Sequence, residues 1–278
     1  CSQTAIDSAL NNMNVDSIHD STKIFKLYRA ASSLAYENPD STNKLLDIGL
    51  DYLQNSNQLF ITDSNIRVTK DFYWRYYYNL KGICFYLLNR ESECLENWLK
   101  TEKIAKSLND TSFILRINNN IAIVYSSTGR EEEALKIFTD QKKIYETKKD
   151  TGGIITSSIN MSTLIKNKDS IILLLNNALG LAQESSSNDH TDYTNIYANL
   201  AGTYFDTNSK KTFSLKKAKS CLDSLILYPN EQSDVESKIL YYGTISEYYM
   251  LKNQYILALK NGMDISLCKL NMKKKTVE

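Results

Sequence analysis

Side chains able to carry chemistry are sparse in this 278-residue chain. There are two histidines, His19 and His190, in the polar settings Ile18-His19-Asp20 and Asn188-Asp189-His190. Such settings predict surface loops rather than a proton relay. A Ser or Cys nucleophile needs a base within hydrogen-bond reach, and only these two rings offer an imidazole. The His-Glu-x-x-His pair of a helix-borne zinc protease is absent. So are Gly-x-Ser-x-Gly, Gly-x-x-x-x-Gly-Lys and Gly-x-Gly-x-x-Gly, so no cofactor or phosphate loop is expected. Gly152-Gly153 is an isolated pair and predicts a turn. Glu131-Glu132-Glu133 opens a helical pattern, where negative charge complements the helix dipole without any catalytic role. The chain is therefore expected to be no enzyme.

The five cysteines stand at 1, 84, 94, 221 and 268, with no Cys-x-x-Cys pair and no metal-like spacing. Four lie in helical patterns, where a free thiol behaves as a small apolar group. A disulfide between Cys84 and Cys94 is conceivable across one helix pair. Cys1 differs. A chain opening Cys-Ser-Gln resembles a bacterial lipoprotein after removal of its leader, whose terminal thiol carries a lipid. On that reading Cys1 is the lipid attachment and residues 1–20, rich in Asn, Ser and Asp, form a tether. The other reading is an arbitrary boundary.

The elements that must position any site are helical. Nine Gly and two Pro are too few for the turns of a sandwich or barrel, while 42% hydrophobic residues support a packed core. A formal net charge of +1 gives no strong field for nucleic acid. The aromatic run from Asp71 to Tyr78 has one base, Arg75, and reads as packing rather than a stacking platform for bases. Lys269, Lys273, Lys274 and Lys275 form a local basic tail, either solvated or leading to a membrane or another domain. No segment reaches the roughly 20 apolar residues of a spanning helix.

A pattern of small and large residues recurs along the chain. Its clearest copy is Ala122, Tyr125, Gly129, Ala134 and Phe138. The copy before it is Tyr78, Gly82, Phe85, Asn89, Cys94 and Trp98, with the same offsets of 12 and 4. Two later copies are Tyr197, Ala201, Tyr204, Ala218, Leu222 and Tyr242, Ser246, Tyr249, Asn253, Ala258. A weaker one, Ile159, Asn160, Thr163, Asn167 and Ile172, lies between them. Residues 21–36 and 40–55 predict a first pair joined at Asn38-Pro39, with Asp40 or Ser41 as cap. This first pair matches the pattern poorly, as a terminal capping unit does.

This pattern resembles the tetratricopeptide repeat (TPR) family over roughly residues 69–264. The small positions 82, 122, 160, 201 and 246 are 40, 38, 41 and 45 apart, longer than the usual ~34. That departure resembles bacterial TPR lipoproteins and the extracytoplasmic sensor regions of TPR-containing regulators. The resemblance implies an all-α fold, an α-α superhelix or TPR-like solenoid of five to six antiparallel helix pairs. The pairs fall near 21–60, 66–108, 111–149, 151–185, 190–229 and 233–270.

In such a fold the first helix of each pair lines a concave wall. The resemblance places Tyr76, Asn79, Ile83, Tyr86 and Leu87 on it, then Arg116, Asn119, Asn120, Ile123 and Ser126. Asn195, Ala198, Asn199, Phe205 and Asp206 follow, then Glu247 and Met250. The Asn amides of 79, 119, 120, 195 and 199 suit the backbone of an extended peptide. Arg116 suits a carboxylate, and Tyr76 and Tyr86 supply amphipathic area. Asn is frequent throughout the chain, so its enrichment also has a purely compositional reading.

The expected function is non-catalytic protein or peptide binding, tethered through Cys1 in a bacterial envelope and serving sensing or complex assembly. An alternative is a cytoplasmic peptide-responsive regulator that sequesters a protein partner. A third is a structural scaffold. No metal, cofactor or nucleic acid is expected.

Overall fold

The structure is a computed structural model that describes residues 20–55, 60–61, 67–185, 190–205, 214–225, 235–263 and 266. It divides into two compact units, Cys1–Arg130 and Glu131–Glu278. The first holds α1 (Asp20–Leu34), α2 (Pro39–Asn55), β1 (Phe60–Ile61), β2 (Arg67–Val68), α3 (Lys70–Leu87), α4 (Glu91–Ser107) and α5 (Thr111–Ser127). The second holds α6 (Glu131–Lys148), α7 (Thr151–Ser162), α8 (Lys168–Glu184), α9 (His190–Phe205), α10 (Leu215–Leu225) and α11 (Val235–Leu251). Residues 255–263 are also helical. Among the described residues the departure from an all-helical reading is the ladder of β1 with β2, antiparallel with Phe60 opposite Val68. Within each unit, helices pack on their neighbours in chain order, as expected of the repeat.

The short turns are built alike. Asn89, Asn109, Gly129, Lys149 and Asn253 all have positive φ, between 54° and 79°. In each case the next amide donates to the carbonyl five residues back. Arg90 donates to Phe85 at 2.9 Å, Asp110 to Ala105 at 3.0 Å and Arg130 to Tyr125 at 2.7 Å. Asp150 donates to Tyr145 at 2.9 Å and Gln254 to Tyr249 at 2.8 Å. This left-handed closure satisfies carbonyls that the helix end leaves open. Asn tolerates the conformation because its short polar side chain bonds locally. Lys149 has no such help.

Three second helices, α2, α8 and α10, start on a side-chain cap, whereas α4 follows Arg90 without one. Asn38 accepts from the Ser41 amide at 3.0 Å, Asn167 from Ser170 at 3.0 Å and Ser214 from Lys217 at 3.2 Å. The cap of α2 is thus Asn38, not Asp40 or Ser41. Pro39 is the first helical residue, where its missing N–H costs nothing.

Counting from the residue before the helix, several second helices share buried positions at +4, +8, +11 and +15, with Asn43 and Leu45 buried besides in α2 and Asn97 in α4. They are Thr42, Leu46, Gly49 and Leu53 in α2, and Cys94, Trp98, Thr101 and Ala105 in α4. They are Ile171, Leu175, Ala178 and Ala182 in α8; α10 repeats the first three as Ala218, Leu222 and Leu225. Spacings of 4, 3 and 4 keep one narrow stripe against the preceding helix. The stripe corrects two sequence expectations. The weak copy is in register at Ile171, one residue before the expected Ile172, which is only half-buried. The first pair is not an outlier, because α2 buries the same stripe as the others.

Three glycines, Gly49, Gly82 and Gly153, lie where a ring of a neighbouring helix leaves no room for a Cβ, the last 2.2 Å from Tyr145. A Cβ on Gly49 would stand 2.2 Å from the Tyr77 ring, and one on Gly82 2.3 Å from the Trp98 indole nitrogen. Tyr77 is fully buried and its hydroxyl donates to the Ile24 carbonyl at 2.8 Å, so one α3 ring ties α1 and α2 together. Gly152 and Gly153 form no turn. They lie in the first turn of α7, where Asp150 accepts from the Gly153 amide at 3.0 Å. Residue 149 makes the turn instead.

Candidate functional site

Three first helices of the first unit bring an aromatic and cationic cluster together. Tyr28 comes from α1, Phe72 and Tyr76 from α3, and Phe113 and Arg116 from α5. The Tyr28 and Tyr76 centroids are 5.8 Å apart, and Tyr76 meets Phe113 edge-on at 5.3 Å and 89°. Phe72 joins at 5.4 Å from Tyr76. Edge-to-face rings at such distances are held by their quadrupoles as well as by burial. The Arg116 guanidinium carbon lies 4.5 Å over the buried Phe113 ring. Arg116 is exposed and forms no ion pair among the described residues.

Beneath this surface sits a second arginine. Arg75 is buried, and its guanidinium lies 4.8 Å from Phe72, 5.0 Å from Tyr76 and 4.8 Å from Phe113. Its Nη1 is paired with Asp110, while its Nε is buried without a partner. Asp110 is also the cap of α5, accepting from the Phe113 amide at 3.0 Å. That amide, joined by Arg75, holds the Asp110 carboxyl below its ordinary range. Arg75 is thus committed to the structure: it fixes the turn before α5 and so the angle at which α5 presents Arg116. An open cleft of about 530 Å³ lies between Phe72, Arg75 and the turn Leu108–Ser112.

Burial, with Tyr76 adding and Arg116 opposing, raises the Tyr28 phenol above its ordinary value. The cluster offers hydroxyls and ring faces. Its one exposed cation is Arg116. Such a surface can hold an acidic group beside an apolar or aromatic one.

The sequence-predicted residues divide into groups. Tyr76 and Arg116 meet through Phe113. Asn79 is half-buried next to them in sequence register; its carbonyl accepts from the Trp98 indole at 3.2 Å and its Oδ1 is buried without a partner. Asn119 and Asn120 are half-buried on α5, one turn beyond Arg116. Tyr86 is exposed near the end of α3, with its ring 6.0 Å from Trp98. Asn195 and Asn199 belong to the second unit, where Asn199 donates to the Asn195 carbonyl at 2.8 Å within α9. Ala198 and Phe205 are buried in the core with Ala218 and Leu222 rather than lining a wall. Cys1, His19, Asp206 and Cys268 lie outside the described residues. His190 opens α9 instead of lying in a loop.

Tyr28 is a member of the cluster that the sequence did not point to. The signal was present: Ala31 is the small residue of α1, and Thr42 Oγ donates to its carbonyl at 3.4 Å. The same crossing joins Ser246 to the Ala258 carbonyl at 2.9 Å in the last pair. Counting three back from Ala31 gives Tyr28, as three back from Gly82 gives Asn79.

Cys84, Cys94 and Cys221 are free, so Cys84 and Cys94 are not bridged. Burial pushes the first two thiols up to about 12 and the third to about 11, which suppresses the thiolate. Among the described residues no group of three His, Cys, Asp or Glu could hold a metal, and no helix is long and apolar enough to cross a membrane.

No protein-family model matches the chain, and no curated protein matches it. Solved structures do. A signal transduction ATPase with a tetratricopeptide repeat sensor from Pyrococcus horikoshii matches at TM-score 0.67 and 14% identity, covering 95% of this chain and 40% of that one. NprR in complex with its cognate peptide NprX matches at TM-score 0.63 and 15% identity, covering 98% and 79%. BtubC from P. vanneervenii matches at TM-score 0.62 and 16% identity, covering 84% and 93%. At these identities the likeness is one of fold, and the fold is that of TPR proteins.

Proposed function

We propose that this chain is a non-catalytic peptide- or protein-binding module whose first unit recognises an acidic group flanked by apolar or aromatic side chains. The observation that carries the reading is the meeting of Tyr28, Tyr76 and Arg116 from three successive first helices around Phe113. A cation exposed without an ion pair, yet held against a buried ring, is positioned before any ligand arrives. Less conformational entropy then opposes binding. Asn119 and Asn120 lie one turn along the same helix and offer amides to an extended backbone.

The likeness to NprR bound to a peptide supports the peptide reading, and favours a regulator that holds or releases a protein partner. Sensing or assembly at an envelope membrane, through a lipid on Cys1, is the other setting for the same module. Metabolic labelling with an alkyne fatty acid in cells carrying the whole gene separates the two. Label lost in Cys1→Ser supports the tether, and an unlabelled protein removes it.

The binding reading is tested by selecting random displayed peptides on the folded chain. Enriched peptides should carry a carboxylate within two residues of an aromatic or aliphatic side chain. Arg116→Gln should weaken them by roughly tenfold or more, as loss of one charge-assisted contact does. Selection yielding no such class, or peptides indifferent to Arg116→Gln, would remove the proposal.

A further inference from the structure

The helical run 255–263 buries one residue and displays most of the others. It opens after Asn253 and Gln254 as the other second helices do, and Ala258, four beyond Gln254, is buried against α11 through the Ser246 bond. The opposite face carries Ile256, Leu259 and Met263, which are 85%, 68% and 64% exposed. These lie at i, i+3 and i+7, one straight stripe on a helix.

The register of Leu259 shows what shape fits there. It stands five beyond the residue preceding its helix. The same place holds Leu95 in α4, Leu135 in α6 and Ile172 in α8, all half-buried. Ile172 packs into a core that includes Tyr193, Ile196 and Leu200 of the following helix. Leu259 therefore occupies a place where an inner pair meets another helix. Tyr255 and Leu257, 58% and 41% exposed, widen the apolar surface beside this stripe.

Charge identifies the flanks of the occupant. The described residues 248–263 include the exposed Lys252 and Lys260 and no acidic side chain. From Tyr248 to Glu278 the sequence has six lysines against Asp264 and Glu278. A second copy would set lysine against lysine. We infer that the stripe Ile256-Leu259-Met263 is a docking seam for an amphipathic helix with acidic flanks from a partner protein. This surface belongs to the second unit and does not depend on the Arg116 cluster.

The test uses two fluorescein-labelled synthetic helical peptides of identical Leu/Ile seam, one flanked by Glu and one by Lys. Each is titrated by fluorescence anisotropy into the full chain carrying Arg116→Gln, so that the first-unit cluster takes no share of the signal. The Glu-flanked peptide should bind on the order of tenfold or more tighter than its twin, with the gap closing in high salt. Leu259→Asp should abolish binding, and Lys252→Glu with Lys260→Glu should reverse the preference. Because Leu259 is exposed, thermal melts of its variant should match the parent. Equal binding of both peptides, binding of neither, or binding that survives Leu259→Asp overturns the inference. So does a dimer in sedimentation equilibrium that Leu259→Asp dissolves, which assigns the stripe to a second copy. Binding to phosphatidylglycerol vesicles in place of either peptide would assign it to a membrane.

Discussion

The Trp98 indole fills the place where a side chain on Gly82 would begin: a Cβ there would lie 2.3 Å from the indole nitrogen. That nitrogen donates to the Asn79 carbonyl at 3.2 Å, one turn back along the same helix. Glycine is thus required by the neighbour, not by backbone conformation. Gly82→Ala should cost roughly 1–3 kcal/mol, the range of overpacking in a filled core. Gly180 provides the opposite case, since nothing lies within 4 Å of its Cβ position in α8. Gly180→Ala should gain about 0.5–1 kcal/mol from helix propensity alone. Urea unfolding of both variants should move the midpoint in opposite directions.

Tyr77 ties three helices through one hydroxyl bond to the Ile24 carbonyl. Tyr77→Phe leaves the ring in place and removes the cross-helix bond, while the Ile24 carbonyl stays within the α1 helical ladder. A loss of about 0.5–1.5 kcal/mol is expected for one net hydrogen bond. Tyr77→Ala should cost more, about 3–5 kcal/mol by analogy with buried Phe truncation. Thermal denaturation of the two variants gives the ranking.

Asp110 couples stability to acid. Its folded carboxyl is held low, first by the Phe113 amide and then by Arg75. A depressed folded value contributes stability that is fully present above the unfolded value of about 3.9. That contribution is lost as pH falls through the folded value. Asp110→Asn retains a capping oxygen and removes this titration, so its stability should vary less with pH below about 4 than the parent's. Urea midpoints from pH 2.5 to 7 measure the difference. At neutral pH the variant should be the less stable of the two, because Arg75 is left buried beside a neutral partner.

Burial that raises the Cys84 and Cys94 thiols to about 12 should leave both unmodified by iodoacetamide at pH 8 in the folded chain. Peptide mapping should find them alkylated only after denaturant is added. Rapid native labelling of either would contradict their place in the α3–α4 core.

Much of the scaffold was legible from sequence because its determinants are local. Asn89, Gly129 and Asn253 mark turns through the conformation they tolerate. Ala122, Ala134 and Phe138 mark packing through size, and all three are buried. What escaped depended on the partner helix. Ala31 and Thr42 are 11 apart instead of 12, and Thr fills a place where Ala was sought, so the first pair looked foreign. Tyr28 was missed with it. In the weak copy Ile171 stands where a small residue was expected, which shifted the register by one. Ala198 and Phe205 fit the wall spacing of other helices, yet α10 and α11 both pack on α9 and bury them. The caged Arg75 had no sequence signal beyond its aromatic neighbours, because its ion partner Asp110 lies 35 residues away.

The central claim is that Tyr76 and Arg116 form one binding surface. Isothermal titration of a peptide selected on the parent chain, against Tyr76→Ala, Arg116→Gln and the double variant, tests it most directly. Each single change should weaken binding by on the order of tenfold, and the double change should fall short of the product, as neighbouring contacts on one ligand do. Affinities within twofold of the parent in all three variants, each still folded, would contradict the account.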